Sequence, residues 1–347
     1  MDISNKGNIV LIVIIMSVSI LGYVGFISLM HTPGTWNSSC KFQGLSFYPN
    51  EIIQIGGTMF FATSREHIKV LKSNDGCNWS EIVSPTAGRD IWLCSMEIFN
   101  TPEDNLGIVW RETPAPEKGT PRSSIFLSIF TGTEWSEPQL LFQREEFCTP
   151  EDALMLENGA ILLLWKEPLV REYTINGKTS RGSGCDLLYR AYLYEGELFI
   201  EKIIESKDPI LCYSNGHGFI KDGQTVWCIF EHGVYGKTFL YRSWSEDGIT
   251  WSEPEPFDIQ GVDFSKDIIN IVSFSDGIKM LSYRAKCKDI FLLQTVNWKH
   301  WSKEKIFTTK NKIEGVMLTQ GEKNMWGFVY SDAHSIHICS LNEPKNE

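Results

Sequence analysis

A seven-residue pattern occurs twice in this chain, and fragments of it recur at intervals of about fifty residues. Ser73 to Trp79 reads SNDGCNW and Ser245 to Trp251 reads SEDGITW, both of the form Ser-x-Asp-Gly-x-x-Trp and both followed by Ser-Glu. Thr131 to Trp135 (TGTEW) keeps the Gly and the Trp, Asn297 to Trp301 keeps an Asn and the Trp, and Glu195 to Phe199 (EGELF) ends in Phe. An Asp in a tight turn accepts backbone N–H groups, and Gly supplies a positive φ. The terminal aromatics, Trp79, Trp135, Phe199, Trp251 and Trp301, are expected to return to the sheet and pack beneath their turns. This is a structural device without catalytic content.

A second repeat runs alongside. Six segments join a Gly or Asn turn to an apolar run and a polar end: GGTMFFATSRE from Gly56, DNLGIVWRE from Asp104, ENGAILLLWKE from Glu157, DGQTVWCIFEH from Asp222, DGIKMLSYR from Asp276 and EKNMWGFVYSD from Glu322. The runs are short, aromatic and β-branched, and bounded by turns, which favours hairpins over helices. Twelve Trp residues fit repeated sheet packing. The expected fold is therefore all-β: a β-propeller of six blades, each a four-stranded antiparallel sheet. The last unit, from Ile313, supplies three strands, and the strand-like segment Cys40 to Tyr48 is expected to complete it beside Ser335 to Leu341. Such closure removes open sheet edges and brings Cys40 toward Cys339.

The Ser-x-Asp-Gly-x-x-Trp turns resemble the Asp-box of sialidase-like propellers, and the resemblance covers roughly residues 40–343. It implies a site on the face opposite the Asp-boxes, built from inner-strand starts and second-strand ends. Here the inner strands are expected to open at Glu51, Glu97, Glu151-Asp152, His217, Asp267 and Glu314. The second strands are expected to end at Arg65-Glu66, Arg111-Glu112, Lys166-Glu167, Glu231-His232, Tyr283-Arg284 and Tyr330-Ser331-Asp332. In that family three arginines hold the substrate carboxylate, a tyrosine activated by a glutamate attacks, and an aspartate is acid and base. The catalytic candidates are Glu97, Asp152, Glu231, Asp267, Glu314 and Tyr330; the substrate-binding candidates are Arg65, Arg111, Lys166, His217, Arg284 and Asp332. The family's Arg-Ile-Pro signature is absent from the chain.

Two functions stay open. One is a recognition propeller that binds a glycan or glycoconjugate without turnover; the other is an exo-glycosidase using paired carboxylates. The same acids equally suit a solvated rim or a Ca2+ ion. No HExxH or CxxC motif is present, and no cofactor is expected. The net charge of -11, without basic runs, argues against a nonspecific nucleic-acid binder, and no nucleic-acid partner is expected.

Ile9 to Met30 carries no charged residue and is long enough to cross a bilayer core of about 30 Å. The domain order expected is a cytoplasmic tail over residues 1–8, a transmembrane signal anchor over 9–30, a tether over 31–39, the propeller over 40–343 and a tail over 344–347, with the propeller outside the cytoplasm. A cleaved signal peptide is the alternative. All nine cysteines lie beyond the apolar segment, and Asn37 and Asn78 head sequons.

Overall fold

The computed structural model describes residues 37–43, 51–64, 68–87, 92–113, 123–175, 178–203, 212–234, 237–259, 262, 267–274, 277–284, 289–295, 298–308, 313–320, 324–331 and 335–342. The expected tail and anchor fall outside this set, as do Arg65 and Asp332. Among the described residues no helix is long and apolar enough to cross a membrane.

The described chain is built from strands. β1 is Asn37–Gln43. The first sheet holds β2 (Glu51–Ile55), β3 (Thr58–Ser64), β4 (Ile68–Ser73) and β5 (Ser80–Ile82); the second holds β6 (Trp92–Asn100), β7 (Leu106–Thr113), β8 (Ser123–Phe130) and β9 (Gln139–Arg144). In the third are β10 (Thr149–Met155), β11 (Ile161–Ile175), β12 (Lys178–Tyr194) and β13 (Glu197–Lys202); in the fourth, β14 (Cys212–Asp222), β15 (Thr225–Val234), β16 (Lys237–Ser245) and β17 (Glu255–Pro256). The fifth comprises β18 (Asp267–Phe274), β19 (Gly277–Arg284), β20 (Asp289–Thr295) and β21 (Ser302–Thr308). The sixth takes β22 (Ile313–Gln320), β23 (Asn324–Ser331) and β24 (Ser335–Asn342), and β1 completes it. Every pairing is antiparallel between sequence neighbours, except that β1 joins β24, with Asn37 opposite Ser340 and Gln43 opposite Ser335. The completing strand thus begins at Asn37, three residues ahead of the expected start.

The first strands touch in cyclic order, β2 to β6, β10, β14, β18, β22 and back to β2. Apolar residues fill the spaces between adjacent sheets. Ile68, Val70, Ile98, Ile108 and Trp110 pack together between the first two sheets, and Val109, Ile125, Leu163 and Trp165 between the second and third. Most of β7 is consequently buried on both faces, which explains its near-continuous apolar run.

The two full seven-residue turns close alike. In the first, Ser73 Oγ accepts from Gly76 N at 2.9 Å, and Asp75 Oδ1 accepts from Cys77 N and Asn78 N, each at 2.8 Å. In the second, Ser245 Oγ accepts from Gly248 N at 2.8 Å, and Asp247 Oδ1 from Ile249 N at 2.8 Å and Thr250 N at 2.7 Å. Each Trp Nε1 then donates to its turn's Gly carbonyl at 2.9 Å. Gly248 has φ +77, and a Cβ there would press within 3.0–3.2 Å of Leu156, Leu162 and Tyr192 of the neighbouring sheet. The Phe199 copy differs. Glu195 and Gly196 (φ 50 and 85) make a two-residue hairpin turn, which leaves Phe199 opposite Tyr192 within the ladder and 53% exposed, not packed beneath the turn.

Cys77 is disulfide-bonded, whereas Cys148 and Cys228 are buried free thiols.

Candidate functional site

Four of the six first strands lose ladder register: β6 between Leu93 and Met96, β10 between Pro150 and Asp152 and β22 between Ile313 and Gly315, all near their N-terminal ends, and β14 between Gly216 and Gly218, midway along its length and beside the β10 bulge. A bulge leaves residues outside the ladder and re-aims the strand around them. The residues left over are Cys94 with Ser95, then Glu151, His217 and Glu314. Glu151 and Glu314 stand near strand openings as expected, whereas β14 opens at Cys212, five residues ahead of the expected opening at His217, because Cys212 to Gly216 pair with the far end of β15. In β2 and β18 the ladder runs straight through, with Glu51 opposite Ala62 and Asp267 opposite Arg284.

Hydrogen bonds tie successive bulges together. Ser95 Oγ donates to the Pro150 carbonyl at 3.2 Å, linking β6 to β10. The Asp152 carboxylate accepts from Phe219 N, linking β10 to β14. Burial pushes the Asp152 pKa up to about 7, against the pull of the Phe219 and Ala153 N–H groups, and neighbouring Glu151 adds to the rise. Glu97 lies deeper along β6, half-buried and opposite Val109.

The second strands supply the cations. Arg111 of β7 stands opposite the Cys94–Ser95 bulge and is 1% exposed. Its Nη1 donates to the Cys148 carbonyl at 2.7 Å and to Thr149 Oγ1 at 3.3 Å, and its guanidinium lies 3.6 Å from the centre of the Phe147 ring. Its Nε is buried and has no hydrogen-bond partner. Lys166 Nζ meets Glu151 Oε1 at 2.8 Å, so two predicted groups form one ion pair. Glu231 and His232 are buried near the end of β15, where Glu231 stands opposite Asn215, two positions before His217; burial lowers the His232 pKa. Glu314 falls between the positions opposite Ser331 and Tyr330. The side chains of His217, Asp267, Arg284, Glu314 and Tyr330 lie outside the described residues, although their strands and register are described.

One expectation is corrected. The second strand of the third sheet does not end at Lys166-Glu167: β11 continues to Ile175 and pairs with β12 back to Lys178. Val170, Tyr173 and Thr174 favour strand, and Asn176-Gly177 is a hairpin turn signal beyond the expected strand end. Glu167 itself is buried structure. It accepts Arg144 in a two-point pair at 2.7 and 3.2 Å and Trp165 Nε1 at 3.0 Å.

Residues that the sequence reading passed over are Ser95, Gly218 and Arg144. Ser and Gly carry little signal alone; their roles come from the bulges, which no periodicity announces. Among the described residues no group of three or more His, Cys, Asp or Glu side chains is placed to hold a metal ion.

No family model matches the chain, and no curated protein matches it. Solved structures do. Trypanosoma rangeli sialidase superposes with a TM-score of 0.55 at 12% identity, over 88% of this chain and 58% of that one. The chain has the sialidase-like propeller fold. NanB sialidase from Streptococcus pneumoniae, as its K499G mutant, superposes at 0.56 and 9% identity, over 87% of this chain and 69% of that one. The T. rangeli enzyme in complex with sialic acid gives 0.52 at 11% identity, over 89% and 54%. The chain thus spans less than two thirds of the T. rangeli protein's length, and at these identities the likeness is one of fold.

Proposed function

We propose that this chain is a six-bladed propeller that recognises glycans through the bulged ends of its inner strands, as a diverged sialidase-like protein without sialidase activity. The observation that carries the reading is the set of four bulges on the first strands, three at N-terminal ends and the fourth midway along β14 beside the β10 bulge. Bulges concentrate where a sheet must re-aim side chains beside a site. Beside these bulges the Glu151–Lys166 pair supplies donors and acceptors of the kind that hold sugar hydroxyls and carboxylates. The fold neighbours include sialidases solved with sugar ligands, which supports a carbohydrate partner. No nucleic acid, metal or cofactor enters the proposal.

The charge-free run Ile9 to Met30 supports a single-pass anchor, with the propeller on the extracytoplasmic side. The disulfide at Cys77 supports an oxidising compartment.

A second reading, an active exo-glycosidase, is favoured by one observation: the β22–β23 register sets Glu314 beside Tyr330, the residue types that the sialidase resemblance pairs for attack. One experiment separates the two. The full chain in detergent is applied to a glycan array and then incubated with fluorogenic glycosides, including that of sialic acid. Selective retention without product supports the recognition propeller. Product that disappears in Tyr330→Phe establishes the glycosidase. Retention of no glycan, together with no turnover, rejects both.

A further inference from the structure

Asp152 stands among the catalytic candidates, yet the geometry gives its carboxylate another occupation. Gly218 follows the β14 bulge with φ +118, and a Cβ built on it would lie 2.6 Å from Asp152 Oδ2 and 3.1 Å from Cγ. The carboxylate therefore fills the space that any other residue at position 218 needs. From that seat it accepts the N–H of Phe219, the next residue along. Asp152 itself follows the β10 bulge, where Glu151 is left over to pair with Lys166. Two bulges on adjacent inner strands thus interlock, carboxylate into glycine. The residue left out of the ladder on the far side is His217, beside the Asn215–Glu231 pair.

We infer that Asp152 is a positioning residue, whose carboxylate, seated against Gly218 and bonded to the Phe219 N–H, fixes the mid-strand bulge of β14 that carries His217 in the proposed ligand-binding region. It touches no ligand. A backbone group buried without its acceptor forces the segment to move or open, so the device acts through the shape of β14. The inference rests on the proposed use of this end of the ring, and its test has one arm that does not.

The test compares Asp152→Asn, Asp152→Ala and Gly218→Ala in the full chain, held in detergent micelles. An Asn side-chain oxygen still accepts the Phe219 N–H, whereas Ala cannot. Amide hydrogen exchange over residues 213–220 should quicken about tenfold or more in Asp152→Ala and in Gly218→Ala, and stay within about threefold of the parent in Asp152→Asn. Free sialic acid is the probe for the binding arm. Its affinity should fall about tenfold in the Ala variants and be rescued by Asn. Unchanged exchange in Asp152→Ala overturns the inference. So does an equal loss of binding in Asn and Ala with exchange unchanged, because Asp152 would then act on the ligand through its charge. If the parent binds no sialic acid, that counts against the functional proposal, and the exchange arm alone decides this one. Should Asp152→Ala fail to fold, Gly218→Ala tests the same seat from the opposite side.

Discussion

The guanidinium of Arg190, in the third sheet, lies 4.2 Å from the centre of the Trp251 ring, which ends the seven-residue turn of the fourth. The same side chain donates to Ser243 Oγ at 2.6 Å and pairs with Glu201 at 2.7 Å, while being 3% exposed. The terminal Trp of the repeat therefore serves the joint between sheets as well as its own turn. Replacing Trp251 by Ala should cost about 2–4 kcal/mol, from lost packing on Arg190 and Phe219. A double-mutant cycle with Arg190→Ala, read by urea unfolding, should show coupling of about 1 kcal/mol. Additive losses would mean the stack is incidental. Glycan affinity of the folded fraction should not change.

The turn carboxylates should confer acid sensitivity. The N–H groups of Asn78 and Cys77 hold Asp75 below the usual carboxylate range. At Asp247 burial acts upward, but the N–H groups of Thr250 and Ile249 outweigh it and the net shift is downward. A depressed folded pKa gives stability that is full above the unfolded value of about 3.9 and is lost as pH falls through the folded value. Asp247→Ala should cost at most about 1 kcal/mol at pH 7, since its exposed carboxylate is screened by solvent, and less near pH 3. Equal losses at the two pH values would show that the charge of Asp247 is not involved.

Asp152 should act in the other direction. Its folded pKa of about 7 exceeds the unfolded value of about 3.9, so the folded state holds more protons between these limits. Its contribution is greatest below about pH 4 and declines as pH rises to about 7. His232 opposes this: its lowered pKa removes stability as pH falls below about 6.5. Asp152→Asn should therefore steepen the loss of melting temperature on acidification from pH 7 to 5. A variant with the parent's profile would place the Asp152 proton elsewhere.

The two buried thiols should be inert in the native protein. Burial pushes Cys148 up to about 11 and Cys228 up to about 12, leaving little thiolate at pH 8. Iodoacetamide labelling followed by peptide mass spectrometry should leave both unmodified until urea unfolds the chain. Rapid native labelling of Cys228 would show that the third and fourth sheets part readily.

The architecture was legible where it depends on periodicity. The apolar runs and the Asp-Gly and Asn-Gly turns predict the hairpins, and the three-strand remainder after Ile313 predicts a strand from the other end of the chain beside β24. Legibility fails where one residue breaks the ladder. Glu151, His217 and Glu314 were singled out as acids and a histidine at strand openings, but nothing in the order of residues says that each falls outside the pairing. Arg111 looked like a mouth group because it ends an apolar run. Its burial against Cys148 and Phe147 comes from the connection that leads into the third sheet, about forty residues away, which local pattern does not encode. Phe199 misled for a similar reason: the motif's spacing survives, yet its turn is two residues long.

The place of β1 sets what a tether can do. Asn37 opposes Ser340, late in β24, whereas Gln43 opposes Ser335 at its start. The chain therefore enters the ring at the end where the third strands finish, the side of the Ser-x-Asp-Gly turns. With residues 9–30 as an anchor, the six residues 31–36 reach at most about 20 Å. The turn side then lies close over the lipid, and the bulged ends point away from it. A propeller hung in this way reaches toward another surface or the surrounding medium, and glycans borne on its own membrane are the ones it is least able to meet.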